Sequence, residues 1–385
     1  MQNRKTRSGT STLGEHGSAS SEDGKRAGRV DGGAAGNTST RRESRSTRAA
    51  IIAFVVAASI AVTLASGEDL PLGGPDSLGT RAGWITAALA ALTFVGAYML
   101  PGGGASEPAL AWRGRLPLMK RIVDLLALAA ATSMFAYLVV IAAAQVFQIG
   151  FRGLTVDPLG GGVLAGFAAA ALCYAAALLG TSLTSASIAA LALSVLFMGT
   201  LASMVSSPDD SWWQLHFSQL GNTDGITGYR FNLALILAGL VITVLANYVG
   251  RSFDLGLGER GVASGRRVHV LSWVFAGIGV CMAVVGLVPD AVNFHVHVGA
   301  ASGMVVLFAA FAFGALRFIP GLPRDLIAFT LFVVAGILIA ILLWVPIGYY
   351  NLTGMELIAA GLLFAWLFVL VRAADAYGSG SHAAK

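Results

Sequence analysis

Three short polar segments of this chain carry side chains that could do chemistry, and each lies beside a long apolar run. Imidazole and carboxylate groups held together can exchange protons or bind a metal ion, and hydroxyl and amide groups add hydrogen bonds. We therefore expect one polar site, formed by His216, Ser218, Asn232, Asp290, His295, His297 and Glu356.

The first segment, residues 211–221, is too apolar for a solvated loop because it contains two tryptophans, a phenylalanine and two leucines. We expect it to lie along a membrane interface. An aromatic belt at headgroup depth accounts for Trp212 and Trp213. It does not account for His216 and Ser218, which stand between the apolar positions.

The second segment, residues 289–297, contains two histidines separated by one residue. Such a pair shares a face in an extended chain, whereas in a helix the two side chains diverge by about 200°. Asn293 is a good N-cap, and a helix that begins there would turn only one of His295 and His297 toward a bundle. A metal pair would require an extended turn instead.

The third segment leads into the last apolar run with Thr353 and Glu356 at the spacing of a capping box. In that motif the hydroxyl and the carboxylate each bind a free amide at the helix start. The alternative is that Glu356 faces the same cavity as His216 and Asp290.

The elements that must position these segments are membrane-spanning helices. Mean hydropathy is +0.74, which is far too apolar for a soluble domain of this length. Since about 20 apolar residues cross a bilayer as a helix, the sequence predicts an all-α bundle of about ten spans rather than a barrel. The predicted spans are 49–66, 82–100, 122–147, 162–179, 186–205, 231–249, 270–288, 298–316, 326–345 and 355–371.

The distribution of basic residues predicts the orientation of these spans. With the N-terminus placed inside, only Arg81, Arg152 and Arg230 of the 25 Lys and Arg residues fall on outer loops. This is the positive-inside pattern. It predicts a multi-pass protein of the bacterial inner membrane with both termini in the cytoplasm, and it places all three polar segments on the outer side.

The chain divides into four predicted regions. Residues 1–47 are polar and basic and are expected to form a disordered cytoplasmic tail. Residues 48–185 form a four-helix block, residues 186–373 form a six-helix block, and residues 374–385 form a short cytoplasmic tail. The basic end of the first tail is expected to orient the first helix, and the alternative is a tether to anionic lipid or nucleic acid. For the protein as a whole, membrane lipid rather than nucleic acid is the expected partner.

Within the predicted spans, the middle third of each contains no Asp, Glu, Lys, Arg or His. Transporters coupled to ions or protons usually carry ionisable groups near the midplane. This pattern disfavours a coupled transporter but still permits a facilitator for a neutral or lipid-like solute.

The second block resembles a bacterial family of six-helix membrane proteins known as domain of unknown function 998. The resemblance rests on Ser218-Gln-Leu-Gly221 before Phe231-Asn232, on Gly286-Leu-Val-Pro-Asp290 followed by His295, and on Glu356 at the start of the last helix. Family members tend to have Glu where this chain has Gln219. The family is distantly similar to DRAM/Sfk-type membrane proteins, which implies a link to lipid handling.

Membrane-embedded zinc hydrolases of the ceramidase and adiponectin-receptor type offer a second comparison. Here His216, Asp290, His295 and His297 could supply ligands, although the His-x-x-x-His pair of those families is absent. We expect a binding protein without a cofactor, rather than an enzyme, that handles lipid-like molecules at its outer side. A metal-dependent hydrolase and a facilitator-type transporter are the alternatives, and protein partners are not indicated.

Overall fold

Ten helices that are long and apolar enough to cross a membrane make up most of the chain that the computed structural model describes. The described backbone comprises residues 19–100, 104–106, 108–263 and 265–380, with side chains from Thr40 onward except at 105, 108 and 109. The helices are α1 (Ala19–Ala65), α2 (Leu78–Met99), α3 (Leu118–Gly150), α4 (Pro158–Thr181), α5 (Ser185–Ser206), the single turn α6 (Gln219–Asn222), α7 (Ile226–Glu259), α8 (Gly265–Leu287), α9 (Phe294–Phe318), α10 (Arg324–Trp344) and α11 (Leu352–Gly378). The predicted all-α membrane bundle is confirmed.

The connections between long helices fall into two sets, because successive spans run in opposite directions. The His216 end carries the α1–α2, α3–α4, α5–α7, α8–α9 and α10–α11 connections. Two short strands, β1 (Leu70–Pro71) and β2 (Thr155–Val156), pair antiparallel there. The Arg260 end carries the other connections, including 3₁₀ helices at Gly104–Ser106 and Pro108–Arg115.

Helix α7 lies at the centre of the bundle and packs against α3, α5, α8 and α11. Small residues allow these close approaches. A methyl group on Gly239 would lie 2.4 Å from the carbonyl oxygen of Gly279 in α8, and one on Gly199 in α5 would lie 2.2 Å from Cβ of Ala234. Without a hydrophobic driving force between helices in lipid, such contacts hold the helices together by dispersion forces.

The two predicted helical blocks, 48–185 and 186–373, touch each other through α3, which packs against α5 and α7. Residues 46–385 form one compact unit. At the Arg260 end, Asp375 Oδ1 accepts hydrogen bonds of 2.9 Å from the hydroxyl groups of Ser185 and Ser252. These bonds join α11 to α5 and α7.

Helix α11 continues to Gly378, a few residues into the predicted C-terminal tail, whose boundary stays a prediction. Tyr377 explains the extension. Its side chain is fully buried, its hydroxyl donates to Pro320 O at 2.7 Å, and the Arg260 guanidinium lies 4.0 Å from its ring centre. The last five residues, 381–385, lie outside the described part of the chain.

The end of the predicted N-terminal tail overlaps the first long helix. Residues from Thr40 belong to the helix that contains the first span, Thr40–Ala65. The helix includes the arginines that precede the apolar run, and arginine has good helix propensity. Residues 1–18 and the side chains of residues 19–39 lie outside the description, and the extent of the disordered tail stays a prediction.

Candidate functional site at the His216 end

The α5–α7 connection folds back over the start of α7 instead of lying free. Its 3₁₀ turn, Trp212–Gln214, buries Trp212, which is 7% exposed and packs edge-on against Phe217. Phe217 in turn packs edge-on against Phe231 of α7. The belt position predicted for both tryptophans is therefore wrong for Trp212, whereas Trp213 is 50% exposed.

Asn232 holds the second half of this connection against α7. Its amide donates to Gly221 O at 2.8 Å. A methyl group on Gly221 would lie only 2.4 Å from Asn232 Oδ1, so the contact depends on glycine at this position. Asn232 thus positions α6 and the segment before it.

His216 stands at the centre of the cluster. Its Nε2 lies 3.3 Å from Asp290 Oδ2, and its Nδ1 lies 3.0 Å from Ser218 Oγ. Both His216 and Asp290 are partly buried. The pattern assigns the ring proton to Nε2, facing the carboxylate, which leaves Nδ1 to accept from the Ser218 hydroxyl.

Glu356 joins α11 to the same connection. Its Oε2 accepts a hydrogen bond of 2.5 Å from the backbone N–H of Phe217. Its carboxylate also lies within electrostatic range of His216, His297 and Asp290. Glu356 therefore faces the other polar residues, as in the alternative to the capping box.

The capping box predicted at Thr353 and Glu356 is wrong. Asn351 is the N-cap of α11, with its side chain accepting from Gly354 N at 2.9 Å. Asn351 also donates to Trp213 O at 2.7 Å, which ties the helix start to the α5–α7 connection. The hydroxyl of Thr353 is buried and has no hydrogen-bond partner among the described residues.

The two histidines of the second segment separate, as expected from a helix that starts at this point. Asn293 caps α9 and accepts from Val296 N at 3.1 Å. His297 is buried, with Nδ1 2.9 Å from Val288 O, whereas His295 is exposed with its ring against Phe294. The cluster therefore contains His297 and not His295.

The four residues of the alternative metal set do not come together as one ligand group. Among the described residues, no three His, Cys, Asp or Glu side chains are arranged to hold a metal ion. His295 turns away from the bundle, and His297 is bonded to a backbone carbonyl.

Two features of the cluster were not singled out in the sequence. Asn222 Oδ1 accepts from Ala291 N at 3.3 Å and so joins the first and second segments. Asp290 Oδ1 is buried, and no donor reaches it within the described part of the chain. No local pattern marks either feature, because the first joins two separate loops and the second depends on how the loops pack around Asp290.

Electrostatics differ sharply between this cluster and the start of the same connection. At the start, Ser211 donates to Asp209 from its hydroxyl and from its backbone N–H, which lowers the pKa of the exposed Asp209 carboxyl. In the cluster, His297 is buried, and the side chains of His216, Asp290 and Glu356 are partly buried. Such groups interact strongly at low local dielectric.

A comparison with known families places these residues in a recognised domain. Residues 188–373 match the model of a family described as protein of unknown function (DUF998). The chain carries a DUF998 domain. No curated protein and no solved structure matches the chain.

The DUF998 domain begins within α5 and extends to α11, so it contains all seven residues of the predicted site. The family resemblance of the second block is confirmed. Similarity to DRAM/Sfk-type proteins stays a prediction. Helices α1–α4 lie outside the DUF998 domain, although α3 packs against its central helix α7.

Proposed function

We propose that this membrane protein binds a lipid-like molecule whose polar head enters the cluster of His216, Asp290, His297 and Glu356. The observation that carries the proposal is the buried Asp290 Oδ1, which lacks a donor among the described residues. A buried acceptor without a partner costs about 1–3 kcal/mol. A donor on a bound head group would remove that cost.

The composition of the cluster favours head groups that carry hydroxyl or ammonium donors. Asp290 and Glu356 are acceptors when ionised, and together they outweigh or balance any charge on the two imidazoles. The unpaired hydroxyl of Thr353, near Glu356 in the first turn of α11, could complete the contacts. The exposed ring of Trp213 is suited to the interface where lipid heads lie.

The proposed orientation puts the His216 end on the outer side of a bacterial inner membrane. It rests on the basic residues, since only three of 25 fall on the connections at this end or on the adjacent helix starts. A lipid-like ligand would then enter from the outer leaflet.

A pair of probes with one acyl chain tests this proposal. The purified full chain is titrated with monooleoylglycerol, which has two hydroxyl donors, and with methyl oleate, which has none, and tryptophan fluorescence reports binding. We expect monooleoylglycerol to bind more tightly. We also expect Asp290→Leu to weaken that binding about tenfold to a hundredfold.

Asp210→Leu is the matched control, because Asp210 is an exposed carboxylate on the same connection. Its binding curve is expected to match that of the unmodified chain. Equal binding of methyl oleate, or an unchanged curve for Asp290→Leu, would contradict the proposal.

A second candidate function is ester hydrolysis without a metal. The order Ser218 hydroxyl, His216, Asp290 carboxylate is that of a nucleophile, a base and an acid, with distances of 3.0 and 3.3 Å. Ser218 Oγ would attack the ester carbonyl and pass its proton to His216 Nδ1, from which the departing alcohol takes it. Water would then release the acid. Hydrolysis ranks second because the backbone amide of Phe217, next to Ser218, is already hydrogen-bonded to Glu356 and is not free to stabilise an oxyanion.

A fluorophosphonate probe distinguishes the two candidates. Covalent labelling of the full chain that is lost in Ser218→Ala supports hydrolysis. An unlabelled Ser218 in a chain that still binds monooleoylglycerol supports binding alone.

A further inference from the structure

Arg230 is a buried cation on the opposite side of α7 from Asn232. It is 5% exposed and lies between α7, α3 and α5. Its Nε and Nη2 donate to the Tyr137 hydroxyl at 3.3 and 3.0 Å, and its Nη1 donates to Ser206 Oγ at 3.3 Å. The guanidinium carbon lies 5.5 Å from the centre of the Tyr137 ring.

All of these partners of Arg230 are neutral. Within the described part of the chain, no carboxylate lies within ion-pair distance of its guanidinium. A buried charge costs several kcal/mol unless an opposite charge compensates it. The cation–π interaction with the Tyr137 ring contributes about 2 kcal/mol for a desolvated cation, so it offsets only part of that cost.

The Tyr137 hydroxyl is itself incompletely satisfied. Its oxygen accepts from Arg230, but its own hydrogen has no acceptor among the described residues. Tyr137 is 4% exposed, so water does not readily replace that acceptor. A positive charge and a free O–H donor therefore lie side by side in a shielded position.

We propose that Arg230 and Tyr137 form a binding site for a phosphate group between α3, α5 and α7. An anionic oxygen would compensate the guanidinium and accept the Tyr137 hydrogen at the same time. Guanidinium groups match phosphate geometry well. The phosphate of a lipid and free phosphate share this chemistry, so either could occupy the site.

This phosphate site is separate from the cluster around Asp290. Positions two apart on a helix diverge by about 200°. Asn232 faces Gly221 and the α5–α7 connection, whereas Arg230 faces Tyr137 of α3. The site also combines a residue of the DUF998 domain with one outside it.

Thermal unfolding of the purified full chain in detergent tests the site. Dioleoyl phosphatidic acid, dioleoylglycerol and inorganic phosphate are titrated separately at constant ionic strength, and tryptophan fluorescence reports the melting temperature. We expect phosphatidic acid to raise the melting temperature. Dioleoylglycerol, which lacks the phosphate, should raise it less or not at all. An equal rise with inorganic phosphate would identify free phosphate as the occupant and would still support the site.

Tyr137→Phe decides the proposal, because it keeps the ring and removes only the O–H donor. We expect its half-maximal concentration for the stabilising anion to rise about tenfold or more, since hydrogen bonds to charged groups are strong. Arg230→Gln should abolish the effect if that variant folds. Arg152→Gln, an exposed arginine at the same end, should behave as the unmodified chain.

The proposal is overturned if neither anion raises the melting temperature. It is equally overturned if Tyr137→Phe and the unmodified chain give the same titration curve.

Discussion

Replacing Glu356 by leucine should loosen the α5–α7 connection without unfolding the bundle. Glu356 Oε2 is the acceptor for the Phe217 N–H, across 139 positions of sequence. A hydrogen bond to a charged acceptor contributes about 1.5–3 kcal/mol. Losing it should increase local opening roughly tenfold to a hundredfold, because each 1.36 kcal/mol is a factor of about ten. Glu356→Gln keeps a neutral acceptor and should have a smaller effect.

Hydrogen–deuterium exchange of the full chain measures this opening directly. Global stability is a poorer readout, because removing a partly buried carboxylate also removes its desolvation cost. Peptides covering residues 212–219 should exchange fastest in Glu356→Leu, more slowly in Glu356→Gln and most slowly in the unmodified chain. Glu68→Gln, an exposed carboxylate at the same end, is the control. Unchanged exchange at residues 212–219 in Glu356→Leu would refute the role assigned to this hydrogen bond.

Two further predictions concern the bundle as a whole. A cysteine at Asp209 should react with a membrane-impermeant thiol reagent in intact cells and one at Ala263 should not; labelling at Ala263 would reverse the proposed orientation. Gly239→Ala should lower the free energy of unfolding by about 1–3 kcal/mol, because the added methyl group meets Gly279 O at 2.4 Å. Gly96→Ala in α2 is the control, since nothing lies within 4 Å of its new methyl group; equal unfolding midpoints for the two variants would contradict the packing argument.

The helices were predictable from the sequence because their signals are local. A continuous apolar run of about 20 residues leaves few alternatives to a membrane span. The start of α9 at Asn293 was also predictable, since an N-cap bonds only to amides two or three positions away. Because the helix starts at Asn293, the two histidines diverge, so that His297 is buried and His295 is exposed.

Contacts between distant segments were not predictable by the same reasoning. Thr353 and Glu356 have capping-box spacing, but Asn351, two residues earlier, also fits an N-cap and is the one used. Glu356 instead bonds to Phe217. Arg230 was assigned to an outer loop because the predicted span starts at residue 231. Helix α7 begins earlier, at Ile226, and Arg230 packs against a tyrosine 93 positions away.

Photo-crosslinking in membranes tests the central claim most directly, namely that a lipid-like head group occupies the cluster at the His216 end. A monoacylglycerol analogue with a diazirine next to its hydroxyl groups is activated in membranes containing the full chain, and the labelled peptides are identified by mass spectrometry. The account predicts labels concentrated in residues 212–219, 288–297 and 351–357 and reduced by Asp290→Leu. Labels spread along the lipid-facing sides of the helices, and unchanged in Asp290→Leu, would contradict it.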